Sequence, residues 1–235
     1  MLFERIVLWD IDHTLMDTRG VGRELSAQAF RRATGLEMRE QAKIDGITEP
    51  VIFRETAKLH GLVTDRSDFE RFAEALADAH IAHAAELRAR GHALAGAATL
   101  LDRLADVPGV VQTVVSGNIR PVSEVKLVTF GLDQHIVWEI GAYGEDADER
   151  PDLVRIAMRR ATEHFGRTVS PADIVLLGDT PADVQAALAV NVPVIAVATG
   201  RSTEQDLRNA GAPRVLPDLT DTEKTVEWIT SAPRA

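Results

Sequence analysis

At 235 residues with a formal net charge of -10, the chain has room for one core carrying a sizeable insertion. It is too acidic for a groove that neutralises nucleic-acid phosphates, which needs clustered Lys and Arg, and the absence of cysteine excludes disulfides, thiolate catalysis and zinc-thiolate sites. Its apolar stretches, such as Val192 to Ala198, are strand-sized and far below the ~20 residues of a membrane helix; the start Met1-Leu2-Phe3-Glu4-Arg5 lacks a secretory pattern, so a cytoplasmic protein with no membrane or nucleic-acid partner is expected.

In chain order, Ile6 to Ile11 is a run apolar almost throughout that predicts a first strand. Gly20 to Arg103, rich in Ala, Arg, Glu and Leu, shows no convincing strand and predicts an all-helical insertion. Within it Ser67 and Glu70 have capping-box spacing, and Gly61, Gly91 and Gly96 fall where helices can end. Val110 to Val115, Ile174 to Leu177 and Val194 to Val197 are further apolar, β-branched runs that suit strands covered on both faces of a parallel sheet. Ile136 to Ile140 is a weaker strand candidate, interrupted by Trp138-Glu139. Apolar spacings of three and four predict helices at Val122 to Phe130, Leu153 to Phe165, Val184 to Val190 and Glu204 to Ala210, and a short strand and a last helix follow Pro213. The alternation implies a doubly wound, Rossmann-like α/β core from 1–18 and 104–235, with a helical domain inserted at 19–103.

Chemistry concentrates at the predicted strand ends. Trp9-Asp10-Ile11-Asp12-His13-Thr14-Leu15 puts carboxylates two residues apart, on one face in extended geometry, where open parallel sheets bind ligands. Val114-Val115-Ser116-Gly117-Asn118 offers a hydroxyl and free amides to an anion, although Ser-Gly-Asn is also ordinary turn chemistry. In Leu177-Gly178-Asp179-Thr180-Pro181-Ala182-Asp183, a cap, a first-turn proline and a third-position acid account for Asp183 and leave Asp179 unexplained.

Together these stretches resemble the haloacid dehalogenase superfamily, in its phosphatase branch close to phosphoglycolate-phosphatase-like proteins. The resemblance covers nearly the whole chain, with DIDHTL as first motif, VVSGN as second and GDTPAD as fourth. It implies a magnesium-dependent phosphatase for a small phosphomonoester, in which Asp10 attacks phosphorus and forms an aspartyl-phosphate. Asp12 would be the acid-base group, its pKa raised by a neighbouring carboxylate and poor solvation; Ser116, Gly117 and Asn118 would hold the phosphoryl oxygens. Mg2+ would sit on Asp10, the Asp12 backbone carbonyl and Asp179, with support from Asp183. Dehalogenases and phosphonatases of this type lack the second aspartate, so Asp12 argues for phosphate esters; His13 stands where many relatives have Gly. For the third motif's cation, Lys126 is preferred, with Arg150 of Asp148-Glu149-Arg150-Pro151 close behind.

The insertion is similar to the mobile cap of that superfamily, with hinges near 17–20 and 103–110. Its loop Asp45-Gly46-Ile47-Thr48-Glu49 resembles a specificity loop, with Thr48 as a substrate contact, and reads equally as a connection between helices. A sugar-phosphate mutase and a non-catalytic ligand-binding protein are the alternatives; Asp10, Asp12, Asp179 and Asp183 together argue against the second. His80, His83 and Glu86 share a helical spacing but lack a complete ligand set, and Gly20-Val21-Gly22 lacks the full dinucleotide fingerprint. Nothing in the pattern sets the oligomeric state.

Overall fold

The computed structural model describes residues 4–232. In chain order these form β1 (Arg5–Trp9), β2 (Met16–Asp17), α1 (Val21–Thr34), α2 (Glu49–Leu59), α3 (Arg66–Ala82), α4 (Ala84–Arg90), β3 (His92–Ala93), α5 (Ala97–Ala105), β4 (Val110–Val114), α6 (Arg120–Phe130), α7 (Arg150–Phe165), β5 (Ile174–Gly178), α8 (Pro181–Ala189), β6 (Val194–Val197), α9 (Glu204–Asn209), β7 (Arg214–Leu216) and α10 (Thr222–Thr230). The main sheet is parallel, in the order β4-β1-β5-β6-β7. Trp9 pairs with Val114 on one side and with Leu177 on the other, so the residues just beyond all three strands emerge at one edge. That edge is the crevice where such sheets bind ligands.

The apolar strands follow from cover on both faces. Val7 and Trp9 of β1 join Leu100, Leu104, Val175, Leu177 and Ile229 in one core cluster, while Ile6 and Leu8 join Leu153, Ala157, Leu176 and Val184 in another. Alternate side chains of a strand point to opposite faces, so the runs are apolar almost throughout, and the buried Gln112 of β4 is hydrogen-bonded, to Trp9 and to the Leu101 carbonyl. A third cluster binds α1, α2 and α3 through Phe30, Phe53, Phe69 and Phe72, and rests on Ile119 and Val122 beside the second motif. Phe53 and Phe72 stack with centroids 4.6 Å apart, a contact contributing about 1 kcal/mol beyond burial. Helix α5 runs across position 103, buries Leu100, Leu101 and Leu104, and packs on β4 and α10.

Several local expectations are corrected. Ile136 to Ile140 is no strand: Trp138–Ile140 is a 3-10 turn, and single bridges from Ile136 to Gln112 and from Ala142 to Val115 accompany the β4 edge instead. Tyr143 donates its hydroxyl to the Trp138 carbonyl at 2.7 Å and Thr113 donates to Val137, which closes this stretch into a turn. Helix α3 is capped by Asp65 and Asp68 rather than by Ser67 and Glu70; the Asp68 amide donates to the Asp65 side chain at 3.0 Å and the Asp65 amide donates back at 2.9 Å. Gly96 starts a helix instead of ending one: with φ 83 it caps α5, and its carbonyl accepts from the Leu100 amide. The insertion is not purely helical in its attachment, because β2 and β3 pair antiparallel, Met16 with Ala93 and Asp17 with His92. Among the described residues no helix is long and apolar enough to cross a membrane.

Candidate active site

After Trp9 the chain continues extended for one residue, the Asp10 amide donating to the Leu177 carbonyl at 2.9 Å. It then folds into a tight turn, in which the Leu15 and Met16 amides donate to the Ile11 carbonyl and His13 takes a positive φ of 60. This turn leaves Asp10 buried at the sheet edge, 6% exposed, and Asp12 half-buried beside it; both line one cavity. The loops after β4 and β5 bring Ser116, Gly117, Asn118 and Asp179 to the same cavity.

Two separate ionic networks hold these groups. In the first, the Arg150 guanidinium, at the start of α7 and 7% exposed, donates through Nη2 to Asp10 Oδ1 at 2.6 Å and through Nε to Asp183 Oδ1 at 2.7 Å. Asp183 closes the cap of α8 as well, since its Oδ2 accepts from the Thr180 amide and hydroxyl at 3.1 and 2.6 Å. The capping role read from the sequence is therefore real, and Asp183 also orients Arg150. Thr14, fully buried, places its hydroxyl 3.3 Å from both Asp10 Oδ2 and Asp179 Oδ1.

In the second network, Lys126 Nζ lies 2.7 Å from both Asp12 oxygens and 2.8 Å from Asn118 Oδ1, which occupies its donors. Asn118 Nδ2 bridges to Asp12 Oδ2 at 2.6 Å and to Ser116 Oγ at 2.9 Å. Arg150 thus faces Asp10, whereas Lys126 faces Asp12.

The electrostatics of the two networks differ. Burial pushes Asp10 up to about 7, with Asp183 and Asp12 adding to the effect against the opposing pull of Arg150. Asp179 goes up to about 9, again through burial first and then through Asp10 and Asp183. The raised pKa expected for Asp12 is not found. Burial alone would raise it, but the Lys126 ammonium and the hydrogen bonds from Asn118 and Lys126 outweigh that and hold it below the ordinary value.

The donor set fits a hard divalent cation. Asp10, Asp179 and Asp183, all buried, can each offer a carboxylate oxygen within 4.8 Å of the other two. Carboxylate oxygens of this kind suit magnesium, and the three carboxylates are set against the single guanidinium of Arg150. His80 and His83, by contrast, each turn Nδ1 to the carbonyl one helical turn back, that of Leu76 or Ala79.

Above the crevice, the segment before α2 closes onto the second motif. The Glu49 amide donates to the Gly117 carbonyl at 2.9 Å, and a Cβ added to Gly117 would lie 2.3 Å from the Ile47 carbonyl oxygen. A Cβ added to Gly46, whose φ is 69, would lie 2.3 Å from the Ala182 side chain at the start of α8. The cavity measures about 390 Å³. Thr48, the expected contact from this loop, is instead fully buried outside the cavity lining, with its hydroxyl donated to the Asp148 carbonyl at 3.0 Å. Its neighbours Ile47 and Glu49 line the cavity, as do Ile52, Leu76 and His80. Sequence reading also missed Thr14, whose position inside the first motif was its one signal.

Comparison with known proteins follows the same lines. The family model for the haloacid dehalogenase-like hydrolases matches residues 7–188. No curated protein matches the chain. Among solved structures, a Bacteroides vulgatus protein provisionally named as a β-phosphoglucomutase superposes with a TM-score of 0.67 at 18% identity, covering 100% of this chain and 92% of its own. A hydrolase from Pseudomonas syringae gives 0.65 at 22%, covering 96% and 98%, and a Haemophilus somnus protein predicted to be a phosphoglycolate phosphatase gives 0.64 at 16%, covering 95% and 97%. At these identities the likeness to solved structures is one of fold. The family match over residues 7–188, together with that fold, shows that the chain belongs to the haloacid dehalogenase-like hydrolase family.

Proposed function

We propose that the protein is a magnesium-dependent phosphatase that hydrolyses a small phosphomonoester through an aspartyl-phosphate on Asp10. The observation that carries this reading is the pairing of two carboxylates at one cavity in opposite settings: Asp10 against Arg150 in the acidic cluster, Asp12 against Lys126 outside it. Mg2+ held by Asp10, Asp179 and Asp183 would supply positive charge against the phosphoryl oxygens. In the first half, an Asp10 oxygen forms a bond to phosphorus as the ester oxygen leaves with a proton from Asp12. In the second, water attacks the same phosphorus, gives its proton to Asp12, and frees inorganic phosphate and the Asp10 carboxylate. We assign the third-motif role to Arg150, because it touches Asp10. Lys126 holds Asp12 ionised in the ligand-free site, and a phosphate dianion entering the cavity gives its ammonium another partner, which lets Asp12 take up the proton that the first half needs. Ser116, Gly117 and Asn118 bind phosphoryl oxygens in this scheme.

The insertion at 19–103 acts here as the cap, with α1 to α4 its helical body and the residues before α2 its contact with the site. Its closure excludes water from the first half. A cysteine-free composition suits the cytoplasm, with a small molecule rather than a nucleic acid or a membrane as the partner.

The test is release of inorganic phosphate from p-nitrophenyl phosphate and a panel of small phosphomonoesters, with and without Mg2+. Release by the native chain should require the metal, and Asp10→Asn should lower it by about a thousandfold or more. An inactive native chain, or an equally active mutant, rejects the covalent mechanism. Turnover of a sugar phosphate into an isomer without phosphate release would establish a mutase instead.

A further inference from the structure

The cap presents to the cavity a buried group that the scheme above does not use. His80, on α3, is 2% exposed, and its Nε2 has no hydrogen-bond partner. Its Nδ1 lies 2.9 Å from the Leu76 carbonyl, which can only accept, so Nδ1 carries the ring proton and Nε2 is left as a bare acceptor. The ring stays neutral, because burial, and after it the Lys126 charge, hold its pKa down to about 4. A buried acceptor left unpaired costs free energy that a ligand donor recovers. Glu49 of α2 also lines the cavity wall, buried, and its carboxyl accepts no hydrogen bond from the described residues. Ile52 and Leu76 complete that wall with apolar surface.

His80 Nε2 therefore accepts and does not donate, whereas burial pushes Glu49 up to about 7, so near neutral pH its carboxyl both accepts and donates. Lys126 is turned to Asp12 and Asn118, and on binding to the transferring phosphate, so its donors serve the reacting end of the substrate. Arg23, Lys43 and Arg201 also line the cavity, but they are exposed and so belong to its mouth, where they attract a phosphate dianion on entry. An ionised second carboxylate or phosphate in the substrate would offer His80 Nε2 no donor, and a bare alkyl chain would leave both His80 and Glu49 unpaired. Hydroxyl groups meet both requirements, donating to His80 Nε2 and to Glu49 while their carbon skeleton rests on Ile52 and Leu76.

We infer that the substrate's leaving group is polyhydroxylated, a polyol or sugar phosphate, and that His80 reads one of its hydroxyls from the cap. This rests on the hydrolase reading above. The experiment measures kcat/KM for a series of short linear polyol phosphates, each against the alkyl phosphate of the same length, with phosphoglycolate and p-nitrophenyl phosphate alongside. The native chain should prefer the best polyol phosphate to its alkyl counterpart by about tenfold or more, and to phosphoglycolate as well. His80→Phe should bring the polyol-to-alkyl ratio to within about threefold of one, and His80→Gln, which keeps an acceptor oxygen, should retain most of it. A ratio is independent of how much of each variant folds. Native ratios near one at every length, a ratio unchanged in His80→Phe, or preference for phosphoglycolate overturns this inference alone. Absence of Mg2+-dependent release from every ester, p-nitrophenyl phosphate included, overturns the hydrolase reading and this one with it.

Discussion

Arg150 is the residue on which the acidic cluster depends. It is the guanidinium that touches both Asp10 and Asp183, and it is almost fully buried with them. Removing one member of a buried ion network leaves uncompensated charge at a cost of about 3–5 kcal/mol. Arg150→Met should therefore lower the thermal midpoint strongly in metal-free buffer, and added Mg2+ should restore more stability to the variant than it adds to the native chain. Thermal denaturation with and without Mg2+ checks this; an equal metal effect in both proteins would show that the cation does not share the Arg150 partners. Asp10, Asp12 and Asp179 were legible in the sequence because their strand ends are fixed by apolar runs. The choice between Arg150 and Lys126 was not, because both precede or follow motifs at plausible distances and only the fold decides which carboxylate each meets. Thr48 was misread for a similar reason: the loop approaches the site as expected, but adjacent residues point different ways, and Thr48 turns to Asp148 while Glu49 turns inward. Asp12 was misjudged by weighing its carboxylate neighbour and its burial without the Lys126 contact.

Among the elements, the four longer strands lie close to where apolar runs placed them, since cover on both faces is written into nearly every position. What failed were the short elements. The two-residue strands β2 and β3 carry no periodicity to detect, and the Ile136 to Ile140 run has the composition of a strand without a ladder to join. The segment leading into α2 is held by close approach of chain to chain rather than by side-chain pattern, at Gly117 against the Ile47 carbonyl and at Gly46 against the Ala182 side chain. Gly46→Ala introduces a methyl where the Ala182 side chain already stands, at a left-handed φ that disfavours a side chain by about 1–2 kcal/mol. The loop should lift from α8 with little effect on the core. The expected outcome is an increase in KM of about tenfold, with faster proteolytic cutting between residues 41 and 48, read by steady-state kinetics and limited proteolysis. Unchanged KM and cutting would mean that the contact with Ala182 does not hold the loop.

At the scale of the molecule, Mg2+ held by the acidic cluster as proposed would make folding and metal binding one equilibrium. The sheet edge confines Asp10, Asp179 and Asp183 to a few ångströms, an arrangement that the unfolded chain lacks. A cation bound only by the folded state adds about 2.7 kcal/mol of stability at a hundred times its dissociation constant. Native protein should accordingly melt higher as Mg2+ is titrated, and Asp179→Asn should flatten that dependence; calorimetry or dye-monitored melting would show it. A midpoint indifferent to Mg2+ in the native chain would count against the cluster as a cation site.

The paired strands β2 and β3 have a consequence for how such a molecule can be altered. Asp17 and His92 lie side by side in antiparallel register, so the chain leaves the sheet layer and returns to it at the same point. The chain between them is joined to the sheet layer through one two-stranded stalk while packing on Ile119 and Val122, and the residues that would sort substrates, Glu49 and His80, lie beyond that stalk, while Asp10, Asp12, Asp179 and Asp183 lie before and after. Exchange of the whole 18–91 segment for another of different length need not disturb the spacing of the sheet, since both ends of any replacement start from neighbouring positions. On the proposed reading, selectivity and bond-breaking would in this way be separable, and a new substrate could be reached by grafting at a single joint.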